Sequence, residues 1–261
     1  MFVSDTGKSF VYRDYSQAEA RVVAYLARCR GLIELFEDST RDVHKENAAR
    51  IFGIPVEQIS YEQRYLAKRV VHASNYGMRE DRLVEIINAD SEETGIRVSQ
   101  AQAKVILNKY FMIYPEIQEN FWGDIKRELK KSLTLNTPFG RKRSFYGRYD
   151  DTLLREAYSY IPQSTVGDLC CKALVRCYTD IQLAYPEWGA ELLVNVHDSI
   201  LMQCDDQFVS QVAAAMAEAM RIFIPIDATA FLIPTDCQVG KNWGPKTDTN
   251  PMGLVDYEST E

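Results

Sequence analysis

The sequence predicts an α+β fold, a small antiparallel sheet flanked by helices beside a mostly helical second part. Three observations carry that expectation. A short apolar strand opens the chain, a hairpin pattern appears only near residue 200, and a series of capped, helix-period segments fills the space between them.

Taken in order, Phe10-Val11-Tyr12 reads as a strand ending at Arg13-Asp14. Ser16-Gln17-Ala18-Glu19 has the capping-box pattern and opens an amphipathic helix through Leu26. Asp42 to Phe52 reads as a helix stopped by Gly53 and Pro55. A second capping box, Ser60-Tyr61-Glu62-Gln63, opens a helix through about Tyr76 that Gly77 ends. Ser99-Gln100-Ala101-Gln102 opens another, to about Met112. Pro115 suits the first turn of the next, with Ile117, Phe121, Ile125 and Leu129 on one face. Thr137 to Gly140 is a turn. Leu153 to Ile161 and Gln163 to about Leu183 read as helix, kinked near Pro162. Leu192 to Val196 and Ser199 to Gln203 read as strands joined by a tight turn at His197-Asp198. Gln207 to Phe223 is an Ala-rich helix, and a last strand lies near Thr235 to Val239. Residues 244–261 are polar and read as a loose, disordered tail.

Composition narrows the function classes. No apolar run approaches the roughly 20 residues of a membrane span, and the start lacks a signal-peptide layout, so a cytoplasmic location is expected. Six cysteines, none in a Cys-x-x-Cys pair, fit buried reduced thiols better than a zinc site. The net charge of −7 does not advertise nucleic-acid binding, but the distribution matters more than the sum. Lys126, Arg127, Lys130, Lys131, Arg141, Lys142, Arg143, Arg148 and Arg155 crowd one segment. Such a segment could follow a phosphate backbone; it equally fits a solvated helix face followed by a basic loop.

Three constellations bear chemistry. Asp14 sits where a strand gives way to a helix, a place from which a carboxylate can hold a hard cation, although turn chemistry explains an aspartate there as well. Asp198 sits at the tip of a hairpin between apolar strands, a rigid mount that is also a common exposed corner. Arg64, Lys68, His72 and Tyr76 recur every fourth residue and form one stripe on a helix. Two cations followed by two rings suit a nucleoside triphosphate; the same stripe on a surface helix would carry snorkelling Arg and Lys.

All three occur in an order that resembles motifs A, B and C of family A (Pol I-like) DNA polymerases. Asp14-Tyr15-Ser16-Gln17-Ala18-Glu19-Ala20-Arg21 matches motif A; Arg64, Lys68, Tyr76 and Gly77 match motif B; His197-Asp198 matches motif C. Asp42-Val43-His44, Thr137 with Gly140-Arg141-Lys142-Arg143, the series Arg155, Ser159, Gln163, and Gly240-Lys241-Asn242-Trp243 resemble weaker family marks. The resemblance implies a polymerase palm in residues 1–29 and 131–243 and helical fingers in 30–130. It implies primer extension with deoxynucleoside triphosphates, with two Mg²⁺ ions (replaceable by Mn²⁺) held by Asp14, Asp198 and the backbone of Tyr15. Lys68, Arg64 and His44 would hold the triphosphate, with Lys68 also giving a proton to the pyrophosphate. His72, Tyr76, Tyr15 and Gln17 would line the nucleotide site, and Glu19 would block a ribose 2′-hydroxyl. Gly77, Arg141, Lys142, Arg143, Arg155, Ser159, Gln163 and His197 would meet primer-template DNA.

The chain departs from the family at His72, where a Phe or Tyr is usual, and at Ser199, where many members have Glu. The two aspartates are expected to bind metal without that third carboxylate. Only thirteen residues precede Asp14, so a fragment, or one subunit of a split enzyme whose thumb and exonuclease lie on a second polypeptide, is expected. Two rival readings remain: a single-subunit RNA polymerase, against which Glu19 speaks, and a non-catalytic DNA-binding relic, against which the intact aspartate pair speaks.

Overall fold

The computed structural model of the protein describes residues 2–227 and 229–258. In chain order it has β1 (Lys8–Tyr15), α1 (Ala18–Leu26), α2 (Arg30–Glu37), α3 (Val43–Phe52), α4 (Tyr61–Asn75), α5 (Glu80–Ala89), α6 (Ser91–Thr94), α7 (Gln100–Ile113) and α8 (Gly123–Ser132). There follow β2 (Thr134–Asn136), β3 (Lys142–Ser144), α9 (Asp151–Arg176), β4 (Glu191–Val196), β5 (Ser199–Asp205), α10 (Val209–Met220), β6 (Ile224–Ile226), β7 (Thr229–Phe231), β8 (Thr235–Gly240) and β9 (Val255–Asp256). Residues up to Ala18 and from Ser164 onward form one compact unit, and Glu19–Gln163 form the other.

The first unit is built on an antiparallel sheet in the order β4-β5-β1-β8-β9. Strand alternation decides its two faces. On β1, Val11, Arg13 and Tyr15 are buried, and the face they share packs on α10: Arg13 Nε donates to the Ala213 carbonyl at 3.1 Å and the Tyr15 hydroxyl to the Met220 carbonyl at 2.7 Å. Tyr12 and Asp14 therefore belong to the opposite face. That face is dry only at one end, where Phe10, Leu201 and Leu254 cluster with Tyr12, Val194 and Trp243. Strand β5 is buried along nearly its whole length. Its partner β4 is an edge strand with Leu193 and Val196 exposed, so the hairpin is anchored in the core by one strand rather than by both.

The second unit is helical. Ile117, Phe121, Ile125 and Leu129 are all buried, as their spacing predicts, in one core with Leu66, Val70, Leu83, Tyr110 and Tyr114. Val23, Ala24 and Ala27 of α1 join that same core, as do Leu135, Phe145, Leu153 and Ala157. Those contacts place the divisions of the chain at 18/19 and 163/164, whereas the sequence reading cut it at 29/30 and 130/131. Pro162 lies inside the single long helix α9, which passes into a wider π-type turn at Cys177–Leu183.

Two local expectations need correction. Helix α1 begins at Ala18, with Gln17 at φ 53° just before it, so the start lies later than a box capped by Ser16 requires. The C-terminal segment is no loose tail over its described part; residues 259–261 lie outside the described residues. Val255–Asp256 pairs with β8, Leu254 is buried, and Asn250 Nδ2 donates to the Pro245 carbonyl at 3.1 Å while its Oδ1 accepts from Asn242 Nδ2 at 3.0 Å. Backbone pairing and one asparagine do the organising, which a count of apolar residues does not register. Among the described residues no helix is long and apolar enough to cross a membrane.

Candidate functional sites: a carboxylate pair and a cationic helix face

In the sheet unit, Asp14 lies directly opposite Ser199 in the β1–β5 register, one residue from Asp198. The Tyr15 N–H donates to the Asp198 carbonyl at 3.0 Å, so the ladder itself ties the two motifs together. The turn that carries Asp198 is shaped by His197 at φ 54°. Asn195 Nδ2 donates to the Ser199 carbonyl at 2.8 Å and Ser199 Oγ to the Val196 carbonyl at 2.7 Å, closing that turn. Serine at position 199 thus serves the turn; a glutamate could not make that donation.

Two further side chains sense both carboxylates. Burial pushes the Tyr12 phenol above its ordinary value, a hydrogen bond with Ser199 opposes, and the charges of Asp14 and Asp198 add to the rise. Burial likewise pushes the Cys170 thiol up to about 12, with Asp198, Cys171 and Asp14 contributing. Two aspartates a ladder step apart are hard oxygen donors that repel each other, a pairing that suits a divalent cation and favours one over bare charge repulsion. No group of three or more His, Cys, Asp or Glu side chains able to hold a metal occurs among the described residues. Tyr15 can offer only backbone there, because its ring is buried and its hydroxyl bound to Met220. Gln17 Oε1 is buried with no hydrogen-bond partner, an acceptor left open for a donor.

In the helical unit, α4 starts at a capping box in which Ser60 Oγ accepts from the Gln63 N–H and the Gln63 side chain accepts from the Ser60 N–H. Arg64 Nε donates to Asp42 Oδ2 at 2.6 Å, and Asp42 Oδ1 caps α3 by accepting from the N–H groups of His44 and Lys45, both at 3.0 Å. His44 stands beside the stripe: burial first, then the charges of Arg64 and Lys68 depress its pKa to about 4, with Asp42 opposing and His72 assisting. It is neutral near pH 7, and its Nδ1 is buried without a hydrogen-bond partner. Lys68 and His72 are exposed. Four nitrogen-bearing side chains therefore share one small region, where the Asp42 carboxylate pairs with Arg64.

At the far end of α4, Tyr76 donates its hydroxyl to Glu19 Oε2. Burial and then the Glu19 charge raise the phenol's pKa, so it stays a donor. Gly77 follows at φ 72°, and a Cβ there would sit 3.1 Å from the Tyr158 ring. Both the left-handed backbone and the close ring call for glycine.

The residues expected at DNA are spread along β2–β3 and α9. Lys142 is exposed; Arg143 pairs with Glu156 at 3.1 Å and lies 4.7 Å over the Phe145 ring. The Arg141 carbonyl accepts from the Tyr160 hydroxyl at 2.9 Å. Arg155, Ser159 and Gln163 follow one face of α9, where Ser159 Oγ is engaged by the Glu156 carbonyl and Gln163 is exposed. Arg155 also lines a cavity of about 340 Å³ with Gly77, Lys104, Lys126 and Tyr158. The Tyr158 ring stacks on Trp122 with centroids 4.7 Å apart. Sequence reasoning missed Tyr12, Cys170 and the pairing role of Asp42. Tyr12 was within reach of it, since a residue two before Asp14 on a strand shares its face. The partnership of Asp42 with Arg64, and the approach of Cys170, have no local signal.

A family model described as DNA polymerase family A matches residues 1–245. The thermostable DNA polymerase I of Thermus thermophilus is 29% identical over 248 residues, 93% of this chain and 28% of that protein. The DNA polymerase I of Pseudomonas aeruginosa is 27% identical, over 93% of this chain and 25% of its own length. This chain thus spans under a third of the length of these relatives. In fold it is similar to the POL domain of Pol1 from M. smegmatis in complex with DNA primer-template and dNTP. That likeness has a TM-score of 0.76, 23% identity, and covers 92% of this chain and 41% of the other.

Proposed function

This chain belongs to DNA polymerase family A, and from that premise we propose that it is the catalytic core of a template-directed DNA polymerase that adds deoxynucleotides to a primer 3′-hydroxyl. The observation that carries the reading is the meeting of motifs A and C across one ladder, Asp14 opposite Ser199 and beside Asp198.

Asp14 and Asp198, with the backbone carbonyl of Tyr15, would hold two Mg²⁺ ions. When bound, those ions make the primer hydroxyl a better nucleophile and offset charge on the departing pyrophosphate. Arg64 and Lys68 would grip the triphosphate through charge-assisted hydrogen bonds, each worth roughly 1.5–3 kcal/mol. Lys68 is exposed on α4 and free to reach the leaving group, to which it would pass a proton. His44, neutral in the free protein, offers a ring nitrogen to the same phosphates. Glu19, held by Tyr76, would exclude a ribose 2′-hydroxyl, and the surface of α9 with Lys142 would follow the primer-template duplex, the partner that this reading requires. His72 would face the sugar with a ring smaller and more polar than the one the family usually places there.

The test is Mg²⁺-dependent primer extension with dNTPs and with rNTPs. Deoxynucleotide incorporation that is lost in Asp198→Asn, while the variant keeps its melting temperature, is the expected result. Incorporation that survives Asp198→Asn would refute the role given to the carboxylate pair.

A further inference from the structure

The triphosphate-binding reading leaves open what keeps two residues from different helices aimed at one ligand. Helix α3 carries His44 and helix α4 carries Arg64, twenty residues apart in sequence. Long cationic side chains on a helix surface sample many rotamers, and each must be ordered for a phosphate to be held. Asp42 touches both arrangements.

Its two carboxylate oxygens are divided between them. Oδ1 accepts from the N–H groups of His44 and Lys45 and so fixes the first turn of α3, which sets the direction in which His44 leaves the backbone. Oδ2 accepts from Arg64 Nε at 2.6 Å. That choice of nitrogen matters. A guanidinium carries five N–H donors in a fixed fork, and a partner on Nε fixes the plane of the fork while leaving both terminal nitrogens available. Arg64 is about a third exposed, which leaves those nitrogens within reach of a ligand.

We infer that Asp42 is a positioning residue for the triphosphate, orienting Arg64 through Nε and His44 through the α3 cap without touching the ligand itself. The inference rests on the reading of α4 as the triphosphate-binding helix. It also runs against simple electrostatics: a carboxylate beside a polyanion site should weaken binding by its charge alone. Orientation and charge therefore predict opposite signs when Asp42 is neutralised, and that opposition makes the idea testable.

Asparagine at 42 keeps an Oδ1 acceptor and is as good an N-cap as aspartate, so Asp42→Asn should preserve α3 while removing the charged partner of Arg64. Alanine removes both. Binding of inorganic tripolyphosphate to the full chain, measured by calorimetry at neutral pH and low salt, is the direct readout. The expected result is tripolyphosphate affinity roughly tenfold weaker in Asp42→Asn, with the wild-type melting temperature retained. In Asp42→Ala the affinity should fall further and the melting temperature should fall too. In an Arg64→Ala background Asp42→Asn should have no further effect, since the residue it acts through is gone. Affinity unchanged or tighter in Asp42→Asn, with wild type binding normally, would overturn the inference and leave the triphosphate reading standing. Failure of the wild-type chain to bind tripolyphosphate would overturn both.

Discussion

The carboxylate pair and the cationic helix face are placed by different means. Asp14 and Asp198 owe their adjacency to backbone pairing: the β1–β5 register and the bond from the Tyr15 N–H fix both Cα positions before any side chain is considered. Arg64, Lys68, His72 and Tyr76 owe their alignment to the helical period, and the two at its ends take their final directions from side-chain partners, Arg64 from Asp42 and Tyr76 from Glu19. A site fixed by a ladder should respond to substitution in chemistry and hardly in structure. One fixed by side-chain partners should respond in binding, and in steps, as each partner is removed.

The largest expected effect breaks the pair. Asp14→Asn or Asp198→Asn should lower the primer-extension rate at least a thousandfold, about 4 kcal/mol of transition-state stabilisation. Neutralising one of two adjacent like charges should at the same time leave the melting temperature unchanged or slightly raised. A large loss of stability in either variant would show that the carboxylates serve the fold, and the contrast between the two regions would fail. Next in size is Lys68→Ala. Removal of a proton donor to the leaving group should reduce kcat roughly a hundredfold, and Lys68→Arg should restore grip on the triphosphate without restoring kcat. Recovery of kcat by arginine, whose guanidinium does not give up a proton near neutral pH, would remove the general-acid role and leave Lys68 as a binding group only.

How far each region was legible in the sequence follows from how it is built. The stripe could be seen because a helix repeats every 3.6 residues, and the caps at Ser60 and Ser99 and the buried face from Ile117 to Leu129 were legible for the same local reason. Both strands of the aspartate pair could be seen as well, but their pairing came only from resemblance, because register between segments 184 residues apart leaves no local mark. Asp42 was visible as the start of a helix but neither as its cap nor as the partner of Arg64. The strap after Trp243 was misread for a related reason: its order comes from backbone bridges to β8 and from buried Asn250, with Leu254 as a buried apolar anchor. The start of α1 was misplaced because Ser16 and Glu19 have the right spacing for a capping box, yet the Ser16 N–H is given to the Pro234 carbonyl at 2.9 Å and Gln17 turns into the left-handed region.

A smaller effect tests how far burial and the cations of the helical unit act together on His44. His44 is held neutral, its pKa depressed to about 4 by burial and by Arg64 and Lys68, with Asp42 opposing and His72 assisting. Because the folded-state value lies below the unfolded one, the stabilising contribution is present above about pH 6.5 and is lost as pH falls toward 4. The wild-type protein should therefore lose on the order of 2 kcal/mol of stability across that window from this residue. His44→Gln should flatten that part of the pH–stability curve, measured by denaturant unfolding at a series of pH values. Identical curves for the two proteins would mean that His44 is neither buried nor crowded by positive side chains as the structure has it.

The smallest expected effect lies where the stripe meets an acid. Tyr76→Phe deletes only the hydroxyl that Glu19 accepts. Glu19 is partly exposed, so water can replace the lost donor, and stability should fall by about 1 kcal/mol. The functional consequence depends on what the bond is for. If Tyr76 holds Glu19 in the position that excludes a 2′-hydroxyl, the freed carboxylate should discriminate less, and preference for dNTPs over rNTPs should drop several-fold. Glu19→Ala should reduce it much further, since the blocking group itself is gone. Equal discrimination in Tyr76→Phe and wild type, alongside a loss in Glu19→Ala, would mean that Glu19 needs no partner to do its work. It would then be fixed, like Asp14, by where the backbone puts it, and the contrast between ladder-placed and partner-placed residues would stop at Arg64.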